Sequence, residues 1–122
     1  MYTVIRFLGG LDRLPMLMKT GTEMNAIRNG IYTGLRKRGD GFSCEICSDK
    51  SWQMHQTEIL AFMGEFGSLI KQSVAAGASV TLDIAVEPED IEEHRPILVL
   101  RHGSDLLSVL SSCGVALEVS IY

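Results

Sequence analysis

The pattern of apolar and polar positions predicts one long amphipathic helix near the middle of the chain, over residues 57–76. Thr57 suits its N-cap and Gly77 its end. Two glycines, Gly64 and Gly67, lie inside the pattern, and each costs about 1 kcal/mol relative to alanine in a helix interior. The sequence leaves open whether another backbone packs closely there or the helix bends. The apolar residues that recur at helical spacing are Ile59, Leu60, Met63, Phe66, Leu69, Ile70 and Val74.

A second helix and a strand are predicted at the C-terminal end of the sequence, the helix over residues 104–113. Ser104 suits the N-cap, and Gly114 suits the left-handed residue that stops a helix. Leu117, Val119 and Ile121 then alternate with polar residues, which is the period of a half-buried strand. We expect these three side chains to form one buried face of an interior or well-paired strand.

The remaining segments complete a pattern of alternating strands and helices. A short helix begins at Asp12 and ends at Gly21, and Asp40-Gly41 is typical of a hairpin turn. The predicted strands are 2–8, 31–38, 42–47, 79–87 and 97–100, and the predicted connections are 22–30 and 48–56. The order β-α-β-β-α-β-β-α-β favours an α+β fold, with a mostly antiparallel sheet and helices packed on one face. The other face would be bare, so it must be polar or meet a partner.

Length, composition and charge fit one soluble domain over residues 1–122. Hydrophobic residues make up 46% of the chain and charged residues 21%, and no apolar run is long enough to span a membrane. Three cysteines cannot all pair internally, and the N-terminus lacks the pattern of a secretion signal, so we expect a cytoplasmic protein. The net charge of −4 disfavours nonspecific nucleic-acid binding. We therefore expect neither a nucleic-acid nor a membrane partner.

Several landmarks resemble a bacterial family. Gly21, Asn29-Gly30 and Trp52 are followed by the leucine-rich helix 104–113 and by a final strand that ends in Tyr122. Together they resemble the small bacterial proteins grouped as domain of unknown function 4279, over nearly the whole chain. This sequence departs from the family pattern in having Asn29 where a lysine commonly precedes the glycine. The resemblance implies an α+β fold in a bacterial cytoplasm, and it implies no catalytic or binding residue.

One Cys-x-x-Cys motif invites a metal or redox interpretation. Cys44 and Cys47 form a single pair, whereas a structural zinc site needs about four converging ligands. In a regular strand, residues three apart point to opposite faces, so this pair could neither share a metal nor close a disulfide. We predict buried strand cysteines that bind no metal, and no cofactor.

An acidic stretch is the most charged segment of the chain. It carries Glu87, Glu89, Asp90, Glu92 and Glu93 within eight residues. It lacks the alternating ligands and the glycine of a calcium loop. The sequence is compatible with a solvated loop and with a docking surface for a basic partner.

Trp52 and His55 are the candidate pocket residues. Large aromatic residues more often belong to a core than to a ligand pocket, and the three histidines, His55, His94 and His102, are widely spaced. No nucleophile lies beside a histidine with an orienting carboxylate in the sequence pattern.

The sequence favours a non-enzymatic binding or interaction module with a protein partner, of an immunity- or regulator-like kind. A homodimer is compatible with it. One alternative is a small-molecule sensor with its ligand between the long helix and the sheet, near Trp52. A second alternative is a small hydrolase that uses His55 or His94 with the acidic stretch.

Overall fold

The computed structural model describes residues 1–27, 41–48, 50–87 and 104–121. In these ranges the chain is an α+β fold, as the sequence predicts. Its elements are β1 (Tyr2–Leu8), a short 3-10 helix (Leu11–Arg13), α1 (Leu14–Ile27), β2 (Gly41–Ser48), α2 (Trp52–Ala75), β3 (Ser79–Val86), α3 (Ser104–Cys113) and β4 (Ala116–Ile121). The predicted strands 31–38 and 97–100 lie outside the described residues.

The four described strands form one mixed sheet in the order β2-β1-β3-β4. β1 is antiparallel to both β2 and β3, and β4 is parallel to β3. The element order within the described residues is therefore β-α-β-α-β-α-β, which differs from the predicted order. The parallel pair follows from α3, because a helical crossover returns the chain in the direction of β3.

The core lies between one face of this sheet and the three α-helices. On β1, Thr3, Ile5 and Phe7 are buried, and the even-numbered residues from Tyr2 to Leu8 are only half-buried. Phe7 stacks on Phe42 of β2, with ring centroids 4.5 Å apart. The same cluster takes Leu17 from α1, Phe62 and Phe66 from α2, and Leu106 and Leu110 from α3. Helix packing on this face is thus as predicted.

Helix α2 begins five residues before the predicted start at Thr57. Ser51 is the N-cap, and its side chain accepts a hydrogen bond of 3.3 Å from the backbone N–H of Met54. The hydroxyl of Thr57 instead donates to the carbonyl oxygen of Gln53 within the helix. The predicted connection 48–56 is wrong over Trp52–Gln56. The polar residues of this first turn hide the helical period.

The same helix is continuous through both internal glycines, which the sequence left open. A Cβ built at Gly64 would meet no atom within 4 Å. A Cβ built at Gly67 would lie at ordinary contact distance, 3.6 Å, from the sulfur of Cys113 in α3. Neither position requires a glycine for close backbone packing.

Helix α1 also extends beyond its predicted end. It runs through Gly21 to Ile27, so the predicted loop 22–30 is wrong for its first six residues. Gly21 and Met24 are both buried on this helix. Burial of Met24 in the core favours continuation of the helix, and it opposes the cost of an internal glycine.

A bulge in β2 corrects the prediction for the cysteine pair. The pairing of β1 with β2 is regular from Leu8, opposite Gly41, to Val4, opposite Glu45. The register shifts between Val4 and Thr3. Cys44 is opposite Ile5 and Cys47 is opposite Thr3, so both cysteines face the core side of the sheet. The prediction of opposite faces is wrong because a bulge inserts one extra residue and restores the side-chain direction after three positions. Both cysteines are buried and neither is in a disulfide, and the same is true of Cys113.

Strand β4 is well paired to β3 but lies at an edge of the described sheet. Leu117 is half-buried, whereas Val119 is 45% exposed and Ile121 is 75% exposed. The prediction of one buried face is therefore wrong for Val119 and Ile121. The alternation itself is correct, since Leu117, Val119 and Ile121 are the register partners of the buried residues Leu82, Ile84 and Val86.

Candidate functional site

The first candidate site is a buried polar pair between the sheet and α2. The hydroxyl of Thr3 and Nδ1 of His55 are joined by a hydrogen bond of 2.7 Å. Neither residue has exposed surface. The pair is placed by the odd-numbered face of β1 and by the first turn of α2, which Ser51 caps.

Trp52 lies near His55 in the first turn of α2. Their ring centroids are 6.5 Å apart and the ring planes are inclined by 25°. Trp52 is half-buried and packs against both apolar clusters, including the smaller one of Met1, Ile84 and Val86. His55 thus belongs to the interior, where a bulky substrate would have no access to its ring.

Cys47 adds a thiol to this end of the sheet, opposite Thr3. Burial raises the pKa of the Cys47 thiol above its ordinary value, and the nearby charge of Glu58 acts in the same direction. A neutral buried thiol is a poor nucleophile and a poor metal ligand, because the thiolate is the reactive form. Within the described residues, no group of three His, Cys, Asp or Glu side chains could hold a metal ion.

The opposite face of the sheet carries a polar network that joins three strands. Arg6 of β1 forms an ion pair with the buried carboxylate of Asp83 in β3. Its guanidinium also lies 3.9 Å from the carboxylate of Glu118 in β4. The hydroxyl of Ser120 donates a hydrogen bond of 2.8 Å to the other oxygen of Asp83. Sequence reasoning missed this network, although a charged residue inside each of two apolar strands was a usable signal.

A cleft of about 250 Å³ lies between α1 and α2, at a different place from the predicted pocket. Its lining includes the hydroxyls of Thr20 and Ser73, which are 3.5 Å apart. Each hydroxyl donates its proton to a carbonyl oxygen of its own helix, so neither proton is available to a ligand in this arrangement. Lys19 and Glu23 also line the cleft, 4.0 Å from each other. The volume is below the range of about 300–1,000 Å³ that is typical of ligand pockets.

The third feature is an apolar surface on the last helix and strand. The large apolar side chains that are exposed in the described residues are Ile27, Met54, Leu107, Val119 and Ile121. Three of these five belong to α3 and β4. We call Leu107, Val119 and Ile121 the β4 patch. An exposed strand edge with apolar side chains is a typical surface for pairing with another chain.

Most of the acidic stretch is not part of the described structure. Glu87 follows β3 and is half-buried. Glu89, Asp90, Glu92 and Glu93 lie outside the described residues, as do His94 and His102. The acidic docking surface stays a prediction.

Comparisons with known proteins give no relative for this chain. No protein-family model, no curated protein and no solved structure matches it. The resemblance to domain of unknown function 4279 therefore stays a prediction. In the described ranges, none of the helices has the length and apolar character needed to cross a membrane.

Proposed function

We propose that this protein is a non-enzymatic interaction module that binds a protein partner by strand addition at β4. In this mode an extended segment pairs with an exposed sheet edge, where main-chain hydrogen bonds supply affinity and alternate side chains supply specificity. The main support for the proposal is that Val119 and Ile121 are exposed on a strand at the edge of the described sheet. An immunity- or regulator-like role is its narrower form, and it requires a partner whose activity the chain masks.

The two edges of the described sheet support β4 as the binding edge. β2 has a bulge in its pairing to β1 and an exposed charge at Glu45, and both features discourage further pairing. β4 pairs with β3 without a register shift over Ala116–Ile121. Its one charged residue, Glu118, lies on the opposite face from Val119 and Ile121. β4 therefore lacks the bulge of β2, and its exposed charge lies on the face opposite the two apolar residues.

The two rival functions have less support from the described residues. A hydrolase requires a reactive group that a substrate can reach, and His55 is fully buried in the pair with Thr3. A sensor of the predicted kind requires a pocket near Trp52, whereas the cleft described above lies between α1 and α2. The two hydroxyls in its lining already donate hydrogen bonds to their own helices. Strand addition needs only the surface that β4 already presents.

The experiment compares two isoleucine-to-lysine variants in affinity capture from cells that express the chain. Ile121→Lys places a charge on the β4 patch, and Ile27→Lys makes the same change at a 58% exposed position on α1. We expect Ile121→Lys to lose a protein that the parent and Ile27→Lys both retain. Hydrogen exchange should then show slower exchange of β4 amides when that protein is added back. Equal capture by both variants would contradict the proposal.

A further inference from the structure

We propose that the partner of β4 is a second copy of this chain, paired antiparallel across a twofold axis that passes through Val119. The proposal rests on the function inferred above and names the occupant of that edge. The two sheets would join into one, with the α-helices of both copies on the same side.

The side chains of β4 are self-complementary in this register. Val119 faces Val119 of the second copy, and Leu117 faces its Ile121. These residues share one face, because they alternate with Glu118 and Ser120 and follow the core side of β3. Apolar pairs that face each other across antiparallel strands stabilise the pairing. The exposed surfaces of Val119 and Ile121 would become buried.

Charge selects this register over its neighbour. Pairing centred on Val119 places Glu118 opposite Ser120, so no like charges face each other. Pairing centred on Glu118 would place two carboxylates directly opposite, which is destabilising. Glu118 is also 3.9 Å from the Arg6 guanidinium of its own chain, which it shares with Asp83.

Leu107 of α3 is a third exposed apolar residue near the end of the sequence. Gly114 and Val115 alone connect α3 to β4, so the helix runs back along the strand that it precedes. Leu107 lies six residues before the end of α3, or about 9 Å at the helical rise. Val119 lies three residues into β4, or about 10 Å at the strand rise. The two exposed residues therefore lie at similar distances from the connection between α3 and β4.

Sedimentation equilibrium on the full chain tests the dimer. We expect the parent and Ile27→Lys to dimerise. Val119→Lys and Val119→Glu should each raise the dissociation constant by roughly a hundredfold, because each places two like charges opposite each other. Mixing these two variants should restore a dimer, which a misfolded protein could not do. A monomeric parent, or a dimer that all these variants leave unchanged, would overturn the proposal.

Cysteine cross-linking tests the register. Directly opposite antiparallel residues have Cα atoms about 4.5–5.5 Å apart, within the disulfide range. Val119→Cys should therefore oxidise to a covalent dimer by itself. Leu117→Cys should cross-link to Ile121→Cys in a mixture and much less to itself, and the parent should not cross-link because its three thiols are buried. Efficient cross-linking of Leu117→Cys to itself would overturn the register.

The two proposals fail in different ways. If the parent is monomeric while Ile121→Lys still loses a captured protein, the second copy is wrong and strand addition stands. If the parent is a dimer that Val119→Lys does not weaken, and capture is also unaffected by Ile121→Lys, then β4 is not a binding edge and both proposals fail.

Discussion

The hydroxyl of Thr3 and Nδ1 of His55 lie 2.7 Å apart, although the residues are separated by 52 positions in the chain. The hydrogen bond joins the inner strand β1 to the first turn of α2. Both groups are withdrawn from water, so this hydrogen bond satisfies polar atoms that solvent does not reach. This contact helps to fix where the long helix begins relative to the sheet.

Thr3→Val should therefore lower the free energy of unfolding by about 1–3 kcal/mol, because it removes a partner from a buried ring nitrogen. Thr57→Val is the matched control, since the Thr57 hydroxyl is exposed and bonds only to its own helix. We expect that control to change stability by less than about 0.5 kcal/mol. Urea denaturation of both variants measures the difference. Equal midpoints would show that the buried hydrogen bond contributes nothing net.

Two leucines on α3 should respond very differently to truncation. Leu110 is buried in the main cluster, and Leu107 is exposed on the β4 patch. Leu110→Ala should destabilise the chain by about 2–4 kcal/mol through lost burial and a residual cavity. Leu107→Ala should cost much less in a monomer, and it should weaken self-association if the proposed dimer forms. Denaturation midpoints at low protein concentration separate these effects, and similar midpoints would contradict the assignment of the buried stripe.

Two glycines should also give opposite results when changed to alanine. Gly64 is exposed in the interior of α2 with open space beside it, so Gly64→Ala should stabilise the fold by roughly 0.5–1 kcal/mol. At Gly41 a Cβ would overlap the carbonyl oxygen of Phe7, where β2 and β1 approach each other. Gly41→Ala should therefore destabilise this strand pair. Thermal unfolding of the two variants checks both signs, and a destabilised Gly64→Ala would indicate an unrecognised contact of α2.

The Cys47 thiol should make stability depend on pH in the alkaline range. Its pKa is raised in the folded chain, chiefly by burial, so folding favours the protonated thiol. That contribution is fully present below the ordinary pKa of 9.0 and is lost as the pH rises through the raised value. Cys47→Ala lacks this group, so the stability advantage of the parent should shrink between neutral and alkaline pH. Urea midpoints under reducing conditions measure it, and a constant difference would contradict the shift.

Periodic burial made most elements predictable from sequence. The helical spacing around Phe62 and the alternation around Leu82 gave α2 and β3 to within a few residues, apart from the start of α2. The predicted helix boundaries were wrong where the sequence lacks a clear apolar period, as in the first turn of α2 before Thr57. The bulge that turns Cys47 toward the core could not be predicted either, because one inserted residue leaves no signal in the composition of the strand.

The candidate surfaces were less predictable, because they depend on contacts between distant segments. Strand alternation correctly placed Val119 and Ile121 on one face. It could not show that β4 is an edge strand in the described sheet, since strand order is a property of the whole fold. The pairing of Thr3 with His55 likewise required the register between β1 and its neighbours and the true start of α2.

The hydrogen bond between Ser120 and Asp83 favours one register between the parallel strands β3 and β4. A displacement of β4 by one residue along β3 would turn Leu117 and Val119 toward the polar face. It would also carry the Ser120 hydroxyl away from a carboxylate that has little contact with water. A misaligned strand would thus lose both its apolar contacts and a polar partner of Asp83. The network that Arg6 completes therefore acts against strand slippage during folding, and it does so on the side of the sheet opposite the core.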